Sequence, residues 1–94
     1  MSAIAPADIP RLADKARLKW DAVREKNLLL FPEGVLVLNP TAHDIVLHCN
    51  GKLKVREIVA TLGDDYEIDE ATLLTDAVDC LTDLLARNLI VVTS

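Results

Sequence analysis

Alternating positions and short apolar runs dominate residues 16–38, and this pattern is typical of β-strands. Residues 16–20 (ARLKW) alternate between apolar and charged side chains, as in a strand that is buried on one face. Two apolar runs, 28–31 and 35–38, lie on either side of a Pro-Glu-Gly turn at 32–34. Proline presets φ for such a turn and glycine can take a left-handed conformation, so we predict a hairpin. Together the three runs predict an antiparallel meander of three strands.

A helix is predicted directly after this sheet. Asn39 suits the N-cap position, and Pro40 suits the first helical turn, where its missing N–H has no intrahelical partner to lose. The spacing i, i+3, i+4, i+7 then occurs twice, and a glycine follows each time within two residues as a stop signal. The two apolar stripes are Ala42, Ile45, Val46 and Cys49, and then Val55, Ile58, Val59 and Leu62.

The third helical pattern is the longest and predicts a helix over residues 70–87. Asp69 suits its N-cap, Ile68 can pack on Leu73 as a hydrophobic staple, and Asn88 can supply a left-handed end. The stripe that we expect to be buried consists of Leu74, Ala77, Val78, Leu81 and Leu85.

The order of these elements predicts an α+β fold in which three helices cover one face of a three-stranded antiparallel sheet. Residues 89–92 (LIVV) are β-prone and predict either a short strand or an extended tail against the core. Residues 1–10 have no regular pattern and are expected to form a flexible tail, which leaves 11–94 as a single domain.

Composition and charge narrow the class of protein. The chain has 94 residues, 51% of them hydrophobic, and no apolar run approaches the ~20 residues that span a membrane. Its start lacks the basic and apolar segments of a secretory signal, so a cytoplasmic location and reduced cysteines are expected. Residues 1–60 hold nine basic and seven acidic residues, whereas residues 61–94 hold one basic and eight acidic ones. This acidic part favours a basic partner or serves as a solubilising face, and the sequence leaves both open.

No set of residues has the spacing of a catalytic or metal site. His43 and His48 are five residues apart, about 140° around a helix, and cannot bind one metal ion from the same face. Cys49 and Cys80 form no CxxC pair, and free cysteines commonly pack as small apolar side chains. A glycine-rich phosphate loop and a GxSxG nucleophile motif are also missing. The sequence therefore predicts a protein without catalytic residues, metal ions or cofactors.

Binding to nucleic acid is disfavoured as well. The third helix carries Asp76, Asp79 and Asp83 against a single Arg87, which is the wrong charge for a helix that contacts phosphates. The three aromatic residues are dispersed along the chain, so they offer no platform on which bases could stack.

The last strand of the meander is predicted to lie at a sheet edge, with unpaired N–H and C=O groups that an extended peptide can use. We therefore select Val35, Leu36, Val37 and Leu38 as candidate peptide-binding residues. One side of the third helix is expected to complete a groove through apolar contacts and ion pairs. The helix candidates are Asp76, Cys80, Asp83, Leu84 and Arg87.

Two other interpretations of this surface stay open. Leu84 can instead belong to the core, and the aspartates can simply be solvated. An open apolar edge also predicts a homodimer, formed when two edges pair or when two copies exchange the hairpin.

Short motifs spread over residues 11–92 resemble the PqqD family of pyrroloquinoline quinone (PQQ) biosynthesis. The motifs are Arg17-Leu18-x-Trp20-Asp21, Leu29-Leu30-x-Pro32-Glu33-Gly34, Leu38-Asn39, Cys49-Asn50-Gly51, Val55-x-Glu57-Ile58-Val59-x-x-Leu62 and the stretch from Asp76 to Leu84. None is specific alone, but their order and spacing together carry the resemblance. The chain departs from the family pattern at Asn50, where Asp is usual, and at Lys54, where Ser or Thr would cap the second helix.

The resemblance implies a winged helix-turn-helix-like domain that acts as a peptide chaperone. Such domains are called recognition elements for ribosomally synthesised and post-translationally modified peptides (RiPPs). The family resemblance implies binding of the precursor peptide PqqA and its presentation to the radical S-adenosylmethionine (SAM) enzyme PqqE, so the iron–sulfur chemistry belongs to the partner. An acidic winged-helix regulatory or protein-interaction module is the alternative of a different class.

Overall fold

The protein is described by a computed structural model that covers residues 3–93. Within these residues the chain forms four strands, three helices and a last strand, in that order. The elements are β1 (Ile9–Leu12), β2 (Arg17–Asp21), β3 (Lys26–Phe31), β4 (Gly34–Leu38), α1 (Pro40–Leu47), α2 (Val55–Tyr66), α3 (Glu70–Ala86) and β5 (Ile90–Thr93). None of the helices in this range is long and apolar enough to cross a membrane.

The predicted antiparallel meander is confirmed as a sheet with the strand order β2-β3-β4. Leu18, Leu29 and Leu36 are cross-strand neighbours on its inner face, and Leu29 is fully buried there. Matching apolar residues on one face of three strands explain this register, because a slip by one residue would move the whole set to the other face.

The hairpin between β3 and β4 differs from the prediction at its glycine. The loop contains only Pro32 and Glu33, and Gly34 is the first residue of β4, with a φ outside the left-handed region. The Phe31 ring lies 3.7 Å from the place where a Cβ on Gly34 would stand. Gly34 therefore does not supply a left-handed turn, and a methyl group at this position would make an ordinary van der Waals contact with the ring.

The N-terminal residues were predicted to be a flexible tail, and for residues 3–10 this prediction is wrong. Strand β1 pairs with β5 in a second, two-stranded antiparallel sheet, in which Pro10 lies opposite Val92. Met1 and Ser2 lie outside the described residues. Residues 89–92 are predicted to be either a short strand or an extended tail, and the structure shows the strand β5 there. The β1–β5 pairing joins segments about eighty residues apart, which no local pattern can reveal.

The segment before β1, residues 3–8, lies across the helices, and we name it the N-terminal strap. Ile4 is only 2% exposed, and its N–H donates to the Thr82 hydroxyl of α3 at 3.1 Å. Full burial of an isoleucine contributes about 1.5–3 kcal/mol, so Ile4 is a major contact that holds the strap on the helices.

The strap also completes the N-terminus of α2, where the sequence lacks the usual Ser or Thr. The carbonyl oxygens of Pro6 and Asp8 accept from the N–H groups of Arg56 and Val55, at 3.0 and 2.9 Å. The first N–H groups of a helix have no partner inside the helix, so these carbonyls take the place of a side-chain cap. In addition, the N–H of residue 54 donates to the Glu57 carboxylate at 2.8 Å.

The helix ends follow the predicted signals with two exceptions, at the ends of α1 and α2. Helix α1 ends at Leu47 with His48 as its C-cap, so the left-handed Gly51 lies beyond the helix and does not end it. The side chains of Asn39 and Asp69 accept from N–H groups in the first turns of α1 and α3, at 2.7 and 3.3 Å. Asn88 has a left-handed φ of 62° after α3, as expected. However, α2 does not stop at Gly63 but continues to Tyr66, and Glu67 takes the left-handed conformation there. Gly63 is buried inside the helix, where a Cβ would stand 3.3 Å from the Glu70 side chain.

The buried face of α3 is turned by about one residue from the predicted one. The fully buried residues are Leu73, Ala77, Leu81 and Leu84, whereas Leu74, Val78 and Leu85 are half-buried. Two adjacent apolar stripes share this helix, and α3 packs on α2, α1 and β5 at once. Periodicity predicts that a helix is amphipathic, but packing from several sides decides which stripe lies deepest.

Candidate functional site

The outer strand of the three-stranded sheet, β4, has one neighbour among residues 3–93, which is β3. Residues of the middle strand direct their N–H and C=O groups alternately to the two neighbours. The short loops close on the pairs Asp21–Lys26 and Phe31–Gly34, and such loops typically close on a hydrogen-bonded pair. Both loops lead to the same hydrogen-bonding pattern. The even-numbered residues of β3 bond to β2, and the odd-numbered residues of β3 bond to β4.

It follows that β4 has two residues whose backbone faces away from the sheet. Gly34, Leu36 and Leu38 lie opposite the odd residues of β3 and bond to them. Val35 and Val37 therefore direct their N–H and C=O groups outward, and their side chains are 52% and 60% exposed. We name these outward groups the β4 edge. Their 2-residue spacing matches the repeat of an extended strand.

The other two strand candidates contribute differently from the prediction. The side chain of Leu38 is buried in the core and that of Leu36 is half-buried against it. Their backbone groups are directed to β3. A ligand at the edge can therefore bond to Val35 and Val37, while Leu36 and Leu38 hold the strand in place.

A groove of about 360 Å³ lies between the start of α1 and the middle of α3, and we name it the α1–α3 groove. It begins where β4 ends, because Asn39 follows Leu38 directly and lines the groove. The lining residues are Asn39, Thr41, Ala42, Ile45, Asp76, Asp79 and Cys80.

Two of the predicted helix residues, Asp76 and Cys80, line this groove together. Asp79 lines it too, although the sequence analysis did not select it as a site residue. The available signal was its position three residues after Asp76, since residues at this spacing are neighbours on a helix surface.

The remaining helix candidates lie elsewhere. Asp83 and Arg87 form an exposed ion pair at 3.1 Å, one turn apart on α3. Leu84 is only 3% exposed and belongs to the core, as the other interpretation of this residue expected, so its side chain offers a peptide almost no surface. The physical reason is the rotation of α3 described above, which places Leu84 in the buried stripe.

Both cysteine thiols stay protonated near neutral pH. Burial, and then the neighbouring Cys80, raise the pKa of Cys49 to about 12. Burial and the nearby Asp83 carboxylate raise the pKa of Cys80. The Cys49 thiol donates to the carbonyl oxygen of Ile45 at 3.3 Å, as expected for a packed thiol. The groove therefore has an uncharged sulfur in its wall.

The two histidines make local contacts, His43 inside α1 and His48 at the C-cap of this helix. His43 Nδ1 lies 3.4 Å from the Asp44 carboxylate, and His48 Nδ1 lies 2.7 Å from the Asp44 carbonyl oxygen. Within residues 3–93 no three His, Cys, Asp or Glu side chains are grouped as metal ligands would be.

An antiparallel sheet with an open edge beside a helical groove defines a class of small α+β domain suited to hold an extended peptide. Among such domains, this chain belongs to the family described as coenzyme PQQ synthesis protein D (PqqD), whose profile matches residues 27–90. The resemblance found in the sequence motifs is thereby confirmed.

Similar proteins come from several bacteria. A protein of Rhodopseudomonas palustris named PqqA binding protein is 33% identical over 85 residues, which are 90% of this chain and 83% of the relative. The bifunctional coenzyme PQQ synthesis protein C/D of Methylorubrum extorquens is 32% identical over 89 residues. That match covers 95% of this chain but 24% of the relative, so the chain spans about a quarter of that longer protein.

Solved structures confirm the α+β fold. The solution structure of the PqqD part of Methylobacterium extorquens PqqCD, described as a functional and stand-alone RiPP recognition element, has a TM-score of 0.84. It is 31% identical, and the match covers 95% of each chain. A lasso peptide synthetase B1 in complex with its leader peptide, at 20% identity and a TM-score of 0.74, shares the fold; the match covers 88% of this chain and 98% of that one.

Proposed function

We propose that this protein is a peptide-binding adaptor of PQQ biosynthesis that holds the precursor peptide PqqA as an added strand on the β4 edge. The free backbone groups of Val35 and Val37 carry the proposal. It is supported by the family and by the relatives named PqqA binding protein. Main-chain hydrogen bonds give such a complex its affinity, and alternate side chains of the peptide give it specificity.

The structure suits strand addition because the edge is open and rigidly supported. Leu36 and Leu38 pack into the core on both sides of Val37, so β4 is held straight while its outer groups stay free. The groove begins directly after Leu38, at Asn39. An extended peptide that pairs with β4 can thus continue into contact with α1 and α3.

In this proposal the adaptor supplies binding and orientation, and no covalent chemistry. It presents PqqA to the radical SAM enzyme PqqE in the cytoplasm, and the iron–sulfur chemistry that joins a Glu and a Tyr side chain belongs to that enzyme. Holding a flexible peptide near its modifying enzyme raises the effective concentration of the peptide, which is what a linked binding module achieves.

The same edge allows two copies of the protein to pair. In an antiparallel arrangement Val35 of one copy lies opposite Val37 of the other, and both outward pairs of backbone groups are used. Such a homodimer buries the groups that PqqA needs, so peptide and second copy compete. We therefore expect excess PqqA to convert any dimer to a monomeric complex, which sedimentation can measure.

The proposal is tested by placing a proline at Val37, one of the two β4 residues whose N–H groups point away from the sheet. Val37→Pro removes one outward N–H and should weaken binding of synthetic PqqA at least about fivefold, because a hydrogen bond contributes about 1 kcal/mol. Val37→Thr keeps the N–H and the β-branched shape and should bind like the wild-type protein. Isothermal titration calorimetry measures both affinities, and amide NMR spectra establish that both variants are folded. A folded proline variant with wild-type affinity would refute strand addition at this edge.

A further inference from the structure

The α1–α3 groove combines an apolar floor with two carboxylates at its rim. Ile45 is fully buried, and Ala42 and Cys80 are half-buried, so these three form the floor. Asp76 and Asp79 are exposed and come from the same face of α3. The volume of about 360 Å³ is at the lower end of the range for small-ligand pockets, ~300–1,000 Å³. This volume is large enough for one long side chain.

The two carboxylates have no cationic partner in the described part of the chain. Four ion pairs of Arg or Lys and one His43–Asp44 contact occur among residues 3–93, and neither Asp76 nor Asp79 takes part in them. Asp83, one turn further along α3, differs because it is paired with Arg87. Like charges three residues apart on a helix repel each other, so a cation placed between Asp76 and Asp79 relieves a repulsion that exists in the free protein.

We propose that this groove binds a lysine or arginine side chain of the precursor peptide. Long basic side chains place their methylene groups on apolar surface while the charged head remains near water. Here the methylene groups lie over Ile45 and Cys80, and the head pairs with Asp76 and Asp79. The inference rests on the proposed function, since the peptide must first lie along β4 to enter the groove at Asn39.

The same groove discriminates against other side chains. A glutamate or aspartate would add a third negative charge beside Asp76 and Asp79 and would be repelled. An aliphatic side chain would fit the floor, but it would shield both carboxylates from water without pairing them. Charge complementarity in this groove thus sets the register of the peptide, which backbone pairing alone does not determine.

The test is a matched pair of double variants. Asp76→Asn with Asp79→Asn removes both groove charges, and Asp64→Asn with Asp65→Asn removes two exposed charges of α2 that lie outside the groove. We expect the groove variant to bind synthetic PqqA about five- to tenfold more weakly at low salt and with a smaller deficit at high salt. The α2 variant should stay within about twofold of the wild type. Equal losses in both variants would show a general charge effect and overturn the inference.

A second arm identifies the partner residue in the peptide. Each lysine or arginine of PqqA is replaced by methionine, which keeps the stem and removes the charge. One replacement should weaken binding to the wild-type protein and have no further effect on the groove variant, which is the non-additivity of contacting residues. If no replacement behaves in this way while wild-type binding persists, the inference fails and the proposed function stands. If wild-type protein does not bind PqqA at all, the proposed function itself fails.

Amide NMR spectra establish folding of both double variants before the titrations. If the groove variant does not fold, Asp79→Asn alone replaces it, with Asp65→Asn as its control. The single variant should then weaken binding about two- to threefold at low salt, and an unchanged affinity overturns the inference.

Discussion

The Tyr66 hydroxyl, at the end of α2, donates a hydrogen bond to the Asp44 carboxylate in α1. This contact links the two helices next to the groove, because Ile45, which follows Asp44, forms the groove floor. The same hydrogen bond, together with burial and the charges of Asp44 and Asp65, raises the pKa of Tyr66 above its usual value of 10.0. A side-chain contact between two helices thus supports the position of the helix that lines the site.

Replacing this tyrosine by phenylalanine should lower the stability of the fold. Tyr66→Phe keeps the ring and removes one hydrogen bond to a charged acceptor, so we expect the free energy of unfolding to fall by about 1 kcal/mol. Urea denaturation monitored by circular dichroism measures the change. An unchanged midpoint and slope would mean that the contact contributes nothing to stability.

The stability difference between wild type and Tyr66→Phe should also depend on pH. A tyrosine whose pKa is raised in the folded state stabilises the protein fully below its unfolded pKa, near 10.0, and loses this contribution as pH rises through the folded pKa. The advantage of the wild type should therefore be constant up to about pH 9 and shrink in more alkaline solution. Denaturation curves of both proteins over this pH range provide the measurement.

The N-terminal strap predicts that residues before the family-matched region stabilise the domain. Ile4→Ala creates a cavity at a fully buried position and should lower the free energy of unfolding by about 2–5 kcal/mol. The neighbouring exposed Ala7→Ser serves as a control and should be nearly neutral. If both variants denature like the wild type, the strap does not hold Ile4 in the core in solution.

Leu84 and Cys80 should behave differently although both lie on α3. Leu84→Ala removes a core side chain and should cost about 2–5 kcal/mol of stability, while the folded fraction keeps its affinity for PqqA. Cys80→Ala alters the groove floor and should weaken peptide binding with a smaller loss of stability. Parallel denaturation and calorimetry separate the two effects, and a binding defect in fully folded Leu84→Ala would contradict this assignment.

The left-handed residue after α2 offers a stabilising substitution. Glu67 has a φ of 53°, a conformation that costs a residue with a side chain about 1–2 kcal/mol, whereas glycine adopts it freely. After allowance for the greater freedom of glycine in the unfolded chain, Glu67→Gly should stabilise the protein by about 0.5–1 kcal/mol. Asp65→Gly, inside the last turn of α2, is the matched control and should destabilise by about 1 kcal/mol. Thermal unfolding of the two variants should therefore shift in opposite directions.

Much of this architecture can be predicted from local sequence, and the errors have a common cause. The meander, the three helices and the caps at Asn39 and Asp69 depend on side chains within a few residues of each other. The strap, the β1–β5 sheet and the cap that Pro6 provides for α2 depend on residues far apart in sequence. The local pattern of apolar and polar residues therefore does not predict them. The end of α2 also differs from the prediction. A glycine ends a helix only where it takes a left-handed conformation, and here Gly63 stays helical while Glu67 takes that conformation.

The candidate site likewise has one part that local sequence predicts and one part that only tertiary packing decides. The apolar run of β4 and its place at the end of a meander are properties of the sequence, and they predict an edge over residues 35–38. That Val35 and Val37 are the residues whose backbone groups face outward follows from the register with β3, which the structure supplies. Which face of α3 reaches the solvent is decided by the helices and strand packed around it, and this choice placed Leu84 in the core and Asp79 in the groove. Local propensity determines where strands and helices form, whereas the side chains that meet in a groove are selected by packing between distant parts of the chain.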